Sequence, residues 1–173
     1  MSSAFLKNET ADAPVVIPAR APLPPGTPNY VTPQGLILLR TELMGLDAER
    51  AHLQAAEIDD ENERSRQLAL LNGRIANLNQ RISIAKVVDT QEQDRVRFGA
   101  RVSLTIQTGK LAGTERVFTI VGVDQANAAQ GLIAFTAPLA RALQGKRVGE
   151  TVSLSSQQGS QVMEVVNITY EMA

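Results

Sequence analysis

The chain has 173 residues, of which 43% are hydrophobic, and this is enough for one domain or two small ones. Its net charge of -1 excludes a general electrostatic attraction to nucleic acid or to a membrane, and the absence of cysteine excludes disulfides and thiolate metal sites. The apolar runs are too short to span a membrane, and the N-terminus lacks the pattern of a secretion signal. We therefore expect a cytoplasmic protein with no membrane partner.

The first 29 residues are rich in proline. Six of the eight prolines fall there, at positions 14, 18, 22, 24, 25 and 28. Proline fixes φ and removes a backbone donor, which favours extended polyproline II over helix or sheet. Residues 1–29 are therefore predicted to be a flexible tail that is poorly ordered or draped over the surface.

Two leucine-spaced runs follow the tail, with alternating three- and four-residue steps. The first contains Leu36, Leu39, Leu43, Leu46 and Leu53, and the second contains Leu68, Leu71, Ile75, Leu78, Ile82 and Ala85. Such a narrow seam is typical of a coiled coil. Thr32 and Pro33 suit the N-cap and first position of helix 1, which should reach about residue 57, and helix 2 should span about 61–86. Residues 30–89 are predicted to form an antiparallel helical hairpin.

Residues 90–173 change to strand-like alternation. Strands are predicted at 96–98, 101–106, 116–121, 131–135, 150–154 and 161–168, with a short helix at 138–143. The predicted fold class is therefore α+β: a helical coiled-coil hairpin followed by a small antiparallel sheet domain with one short helix.

The sequence contains none of the common phosphate-binding, nucleophile-elbow or zinc-protease motifs. His52 is the lone histidine, so a Ser-His arrangement is excluded. Four carboxylates remain, at the predicted hairpin tip: Asp59, Asp60, Glu61 and Glu63. They suit either a solvated turn stabilised by the helix dipole or delivery of Mg²⁺ ligands into another protein's cleft.

Six segments follow one another along the chain in a distinctive order: residues 30–35 (YVTPQG), 73–75 (GRI), 87–89 (VVD), 96–102 (VRFGARV), 120–126 (IVGVDQA) and 136–146 (TAPLARALQGK). Together they resemble the Gre family of bacterial transcript cleavage factors. The resemblance covers about residues 30–170. It implies a coiled coil followed by an FKBP-like domain, and a partner, RNA polymerase, gripped at the rim of its secondary channel. It further implies no cofactor of the protein's own, because Mg²⁺ belongs to the polymerase active site where backtracked nascent RNA is cleaved.

The resemblance also implies site residues. Asp59, Asp60 and Glu61 would be the catalytic acids acting in trans, with Asp59 and Glu61 sharing the metal. Glu61-Asn62 matches the family's E-N step, whereas Ser65 stands at its tyrosine, and each arm is one to two turns shorter than usual. The polymerase-binding candidates are Asp124, Gln125, Ala126, Thr136 and Pro138, with Gln125 standing where the family has glutamate.

A row of arginines on helix 2 is a further candidate surface. Its members, Arg64, Arg66, Arg74 and Arg81, suit either contact with the RNA backbone or simple solubilisation of the coiled coil. Sequence-specific DNA recognition is not expected at this net charge. Two other functions remain open: a non-cleaving regulator that occupies the same channel, and a stand-alone FKBP-like prolyl isomerase, which 3% aromatic residues make difficult to build.

Overall fold

The computed structural model describes residues 14–157 and 159–171. Its helical part consists of α1 (Pro33–Ala55) and α2 (Glu61–Ser83), each 23 residues long. Arg50 Nη1 donates to Asn72 Oδ1 at 3.1 Å, and Arg64 Nη2 donates to the Ala56 carbonyl. Later residues of α1 therefore lie beside earlier residues of α2, which confirms the antiparallel hairpin.

The predicted leucine seam is buried along the middle of the hairpin. Its buried members are Leu39, Leu46, Leu53, Leu71, Ile75 and Leu78. The other members Leu36, Leu43, Leu68 and Ile82 are half-buried. The coiled-coil pattern therefore identified the face on which the two helices pack.

The base of the hairpin contains a strand pair that the sequence did not predict. Strands β1 (Asn29–Val31) and β2 (Ala85–Val87) run parallel, and the Val88 amide donates to the Val31 carbonyl at 2.9 Å. The prediction that helix 2 continues to residue 86 was wrong, because α2 ends at Ser83. Backbone pairing with β1 outweighs the helical periodicity that Ala85 continues.

The sheet contains five strands: β3 (Ala100–Ile106), β4 (Glu115–Val121), β5 (Leu132–Ala134), β6 (Thr151–Ser156) and β7 (Gly159–Tyr170). Their order across the sheet is β5-β4-β3-β7-β6. The short helix α3 (Pro138–Leu143) follows β5. The α+β class and the short helix predicted at 138–143 are confirmed.

Two details of the sheet differ from the sequence prediction. Pairs β3–β4, β3–β7 and β6–β7 are antiparallel, but the edge strand β5 runs parallel to β4. A 3-10 turn at Ala128–Gln130 lies in the β4–β5 connection, which brings the chain back to Thr119, so that β5 pairs with the last three residues of β4. Residues 96–98 form no strand. Val96 is buried, and its amide donates to the Lys146 carbonyl at 2.8 Å, so its apolar character reflects core packing.

The core of this part lies between the sheet and α3. Strand β3 alternates between buried and more exposed residues, as a half-buried strand should. The buried core consists of Val96, Ala100, Val102, Leu104, Ile106, Ile120, Ala140, Leu143, Val152, Met163, Val165 and Tyr170. This core fixes the ends of β4 and β5, from which one group of predicted site residues comes.

The chain divides into two compact units. One contains Leu39–Ser83 and the described residues up to Arg20, and the other contains Ala21–Leu38 together with the chain from Ile84 onward. The first turns of α1 therefore belong to the sheet unit, whereas the predicted boundaries at residues 30 and 90 assign them to the hairpin. Of the predicted tail, residues 1–13 lie outside the described residues. Within the described ranges, no helix is long and apolar enough to cross a membrane.

Candidate functional site

The hairpin tip spans residues 56–60, between the two helices. Asp60 is the N-cap of α2: its Oδ1 accepts from the amides of Asn62 at 3.0 Å and Glu63 at 3.1 Å. Those amides begin α2 and have no partner within the helix, so the carboxylate both satisfies them and complements the helix dipole. Asp60 lies at the tip as predicted, with a structural task of its own.

Arg64 of α2 connects the two sides of the hairpin tip. Its Nη2 donates to the carbonyl of Ala56 just after α1, and its Nη1 lies 3.6 Å from Glu61 Oε1. Its Nε is buried without a hydrogen-bond partner. Arg64 was predicted as an RNA-contact candidate, but its guanidinium is turned into the tip, with a side-chain exposure of 22%.

The remaining tip acids differ in how firmly they are held. Asp59 is exposed and makes no side-chain hydrogen bond or ion pair within the described chain. Glu61 is 75% exposed on its side chain and has only the long contact with Arg64, while Glu63 accepts from Gln67 Nε2 at 2.9 Å. Among the four predicted acids, Asp59 and Glu61 are therefore the most available to an outside ligand.

These two carboxylates do not make a complete metal site. No cluster of three or more His, Cys, Asp or Glu side chains that could hold a metal ion occurs within residues 14–157 and 159–171. Mg²⁺ is usually held by one or two carboxylates together with phosphates and water. The donor set at the tip therefore fits a metal shared with another molecule.

The other predicted RNA-contact arginines lie along α2. At about 100° per residue, Arg66, Arg74 and Arg81 fall within roughly 80° of one another around the helix, and Arg64 lies outside this sector. Arg66 is exposed, whereas Arg74 and Arg81 are half-buried. Three of the four predicted arginines thus share one side of α2.

The predicted polymerase-binding residues come from two loops at one edge of the sheet. Strands β4 and β5 are parallel, so their C-terminal ends meet at the same edge, and the Phe135 amide donates to the Val121 carbonyl at 2.9 Å. Residues 124–126 follow β4, while Thr136 and Pro138 follow β5 at the start of α3. The structure therefore places the two loops side by side. Ala126 and Pro138 are exposed, and Asp124 and Thr136 are half-buried.

Gln125 is directed to the start of α1. Its Oε1 accepts from Thr32 Oγ1 at 2.6 Å, and Thr32 Oγ1 in turn accepts from the Gly35 amide at 2.9 Å. A Cβ on Gly35 would lie 2.8 Å from Gln125 Oε1, so glycine makes room for the amide. Thr32 is the N-cap that the sequence predicted. The contact with Gln125 was missed because 93 residues separate the two side chains.

Three of the few aromatic side chains meet next to this loop pair. Ring centroids lie 5.4 Å apart for Tyr30 and Phe135, 5.7 Å for Phe98 and Phe135, and 6.1 Å for Tyr30 and Phe98. Gly122 allows a close approach, since a Cβ there would lie 2.5 Å from the Tyr30 carbonyl oxygen. The aromatic rings pack against one another and fix β1 on the sheet unit.

Comparison with known proteins gives concordant matches. The family model for the C-terminal part of transcription elongation factors GreA and GreB matches residues 91–170. Transcription elongation factor GreA of Azorhizobium caulinodans is 38% identical over 124 residues, covering 70% of this chain and 76% of that protein. Transcription elongation factor GreB of Neisseria meningitidis is 33% identical over 159 residues, covering 83% and 95%.

Among solved structures, the GreA/GreB elongation factor from Nitrosomonas europaea is 19% identical with a TM-score of 0.40. The match covers 82% of this chain and 98% of that one.

Proposed function

The chain belongs to the GreA/GreB family of transcription elongation factors, and from that premise we propose that it binds RNA polymerase at the secondary channel and stimulates Mg²⁺-dependent cleavage of backtracked RNA. It is an accessory factor for a reaction that the polymerase carries out and is not an enzyme by itself. Its partners are the polymerase and the nascent RNA of the elongation complex. It works in the cytoplasm and reads no specific DNA sequence.

The availability of Asp59 and Glu61 is the single observation that carries this proposal. Both carboxylates are exposed at the end of a helical hairpin whose arms, at about 1.5 Å per residue, are roughly 35 Å long. Within the polymerase these carboxylates would complete the coordination of a shared Mg²⁺. The chemistry that a Mg²⁺ held there would supply is activation of water for attack on a phosphodiester. Asp60 supports the same task indirectly, because it fixes the first turn of α2, on which Glu61 lies.

The paired loops of the sheet unit are the proposed contact with the channel rim. Residues 124–126, Thr136 and Pro138 share one edge of the sheet, which suits a compact docking patch. Gln125 would contribute mainly by holding its loop on the start of α1, since its amide oxygen is already bonded to Thr32. Arg66, Arg74 and Arg81 are the proposed contacts with the RNA backbone.

The test is RNA cleavage in purified, stalled elongation complexes at saturating factor. We expect the wild-type chain to accelerate RNA shortening, and Asp59→Asn with Glu61→Gln to abolish that acceleration while polymerase binding is retained. Asp60→Asn is the matched control. It removes a charge from the same tip but keeps an N-cap side chain, so it should keep more of the activity.

Binding without any gain in RNA shortening would refute the cleavage function. If the wild-type chain and Asp59→Asn/Glu61→Gln change transcription to the same extent, the protein is a non-cleaving regulator of the same channel. Failure to bind the polymerase at all would refute both.

A further inference from the structure

The first described residues, from Pro14 onward, lie on the hairpin in an extended conformation. Exposure alternates along it: Val15 and Ile17 are half-buried, whereas Pro14, Val16 and Pro18 are exposed. An extended chain directs successive side chains to opposite sides, so this alternation indicates one face directed toward the helices. We call residues 14–20 the strap.

The strap contacts α2 at Gly73. A Cβ added there would overlap the Ile17 side chain, with Cγ1 only 2.7 Å away. Glycine inside a helix is unfavourable by comparison with alanine, so its presence at a contact point has a steric reason. By contrast, Gly45 of α1 has nothing within 4 Å of the corresponding position and serves no such contact.

An ion pair fastens the other end of the strap to α1. Arg20 Nη1 and Nη2 donate to the two carboxylate oxygens of Glu42 at 2.8 and 3.0 Å. From Arg20 to Ile17 the extended chain covers about 10 Å, at about 3.3 Å per residue. Because Arg50 of α1 lies beside Asn72 of α2, the positions of residues on the two helices can be compared along the hairpin axis. On that axis Glu42 and Gly73 are separated by a similar length, at about 1.5 Å per helical residue. The strap therefore bridges both helices and runs toward the tip.

Glu42 has a second basic neighbour on the hairpin itself. The pKa of Glu42 lies below its ordinary value, mainly because of the hydrogen bond from Arg20, and Arg74 of α2 adds a smaller attraction in the same direction. If Arg20 moves away from Glu42, Arg74 remains as a positively charged neighbour of this carboxylate. The pair is partly open to solvent, with side-chain exposures of 18% for Arg20 and 39% for Glu42, so water can replace its hydrogen bonds when the strap detaches.

We propose that the strap is an autoinhibitory contact: it covers one flank of the hairpin in the free protein and must detach before the hairpin enters a confined cleft. This inference rests on the proposed function. A helix with its side chains is about 10–12 Å across. An extended chain lying on one side of the hairpin widens it by a large fraction of that diameter. A detached strap would leave the two-helix hairpin that the proposed function requires.

Strap docking is tested first in the free protein. Replacing an exposed helical glycine by alanine normally stabilises, and Gly45→Ala should raise the Tm of the hairpin unit by about 4–8 °C. Gly73→Ala should give no such gain, because it expels Ile17, but it should give the full gain in an Ile17→Ala background. Hydrogen exchange along α2 should increase around residue 73 in Gly73→Ala and Arg20→Gln. Equal gains for Gly45→Ala and Gly73→Ala in the wild-type background would overturn the docked strap.

Autoinhibition is tested by equilibrium binding to core RNA polymerase. Arg20→Gln and Ile17→Ala should bind about 3- to 10-fold more tightly than the wild-type chain, since affinity rises with the fraction of open molecules. An opened strap without any gain in affinity would overturn the autoinhibition and leave the proposed function intact. Absence of binding by the wild type and both variants would overturn the proposed function and this inference, while strap docking would still stand on the free-protein result.

Discussion

At the scale of single residues, neighbouring carboxylates at the hairpin tip have different tasks because their hydrogen bonds differ. Asp60 accepts two amides of α2, whereas the adjacent Asp59 has an exposed side chain without a partner in the described chain. Sequence reasoning treated both as catalytic acids acting in trans. Only the N-cap geometry separates them, and that geometry depends on where α2 begins.

Gln125→Glu should stabilise the protein. The side-chain oxygen accepts from Thr32 beside the start of α1, and a negative charge there complements the helix dipole by about 0.3–1 kcal/mol. Urea denaturation at low salt measures the change, which should shrink as salt is added. Gln125→Leu, which removes the acceptor, should destabilise by about 1 kcal/mol. A stabilising Gln125→Leu would contradict the role of the amide oxygen.

The Arg20–Glu42 pair should make strap docking sensitive to acid. The pKa of Glu42 is lowered from 4.5 in the folded protein, first by the Arg20 hydrogen bond. The contribution of this pair is therefore fully present above pH 4.5 and is lost as the pH falls through the lowered value. The Ile17 methyl signals in NMR should shift toward a detached position over that range in the wild type. Glu42→Gln should show no such step, and an identical step in both proteins would refute the assignment.

At the scale of elements, α2 depends on its first turn. Asp60→Ala should destabilise the hairpin by about 1 kcal/mol, because two amides lose their acceptor, whereas Asp60→Asn should cost a few tenths. Hydrogen exchange of the Asn62 and Glu63 amides reports the loss directly. Equal protection of these amides in both variants would show that the cap contributes nothing.

Local patterns predicted the helices better than the strand pairings. The leucine seam defined the packed face of α1 and α2, and Pro138 with Gly145 framed α3, because these signals involve residues close in sequence. The β1–β2 pair joins residues 29–31 to 85–87, and the parallel β4–β5 pair depends on a 3-10 turn. Such long-range pairings leave little trace in local periodicity, so the end of helix 2 was misplaced.

At the scale of the whole molecule, the two compact units should unfold in separate steps. Leu78 is fully buried in the hairpin seam, and Leu104 is fully buried in the sheet core. Replacement of either by alanine should cost about 2–5 kcal/mol, but in different transitions. Calorimetry should show Leu78→Ala lowering one Tm and Leu104→Ala lowering the other. A single transition shifted equally by both variants would show one cooperative unit.

The parallel β1–β2 pair has a further consequence for how the hairpin length can vary. Because the strands before α1 and after α2 are hydrogen-bonded neighbours, the chain leaves the sheet unit and re-enters it at one place. The length of the two intervening helices therefore does not affect the pairing of β1 with β2. Adding or removing one seven-residue repeat in each arm would preserve the leucine register and the strand pairing alike. The length of the hairpin can therefore change while the β1–β2 pair at its base stays the same.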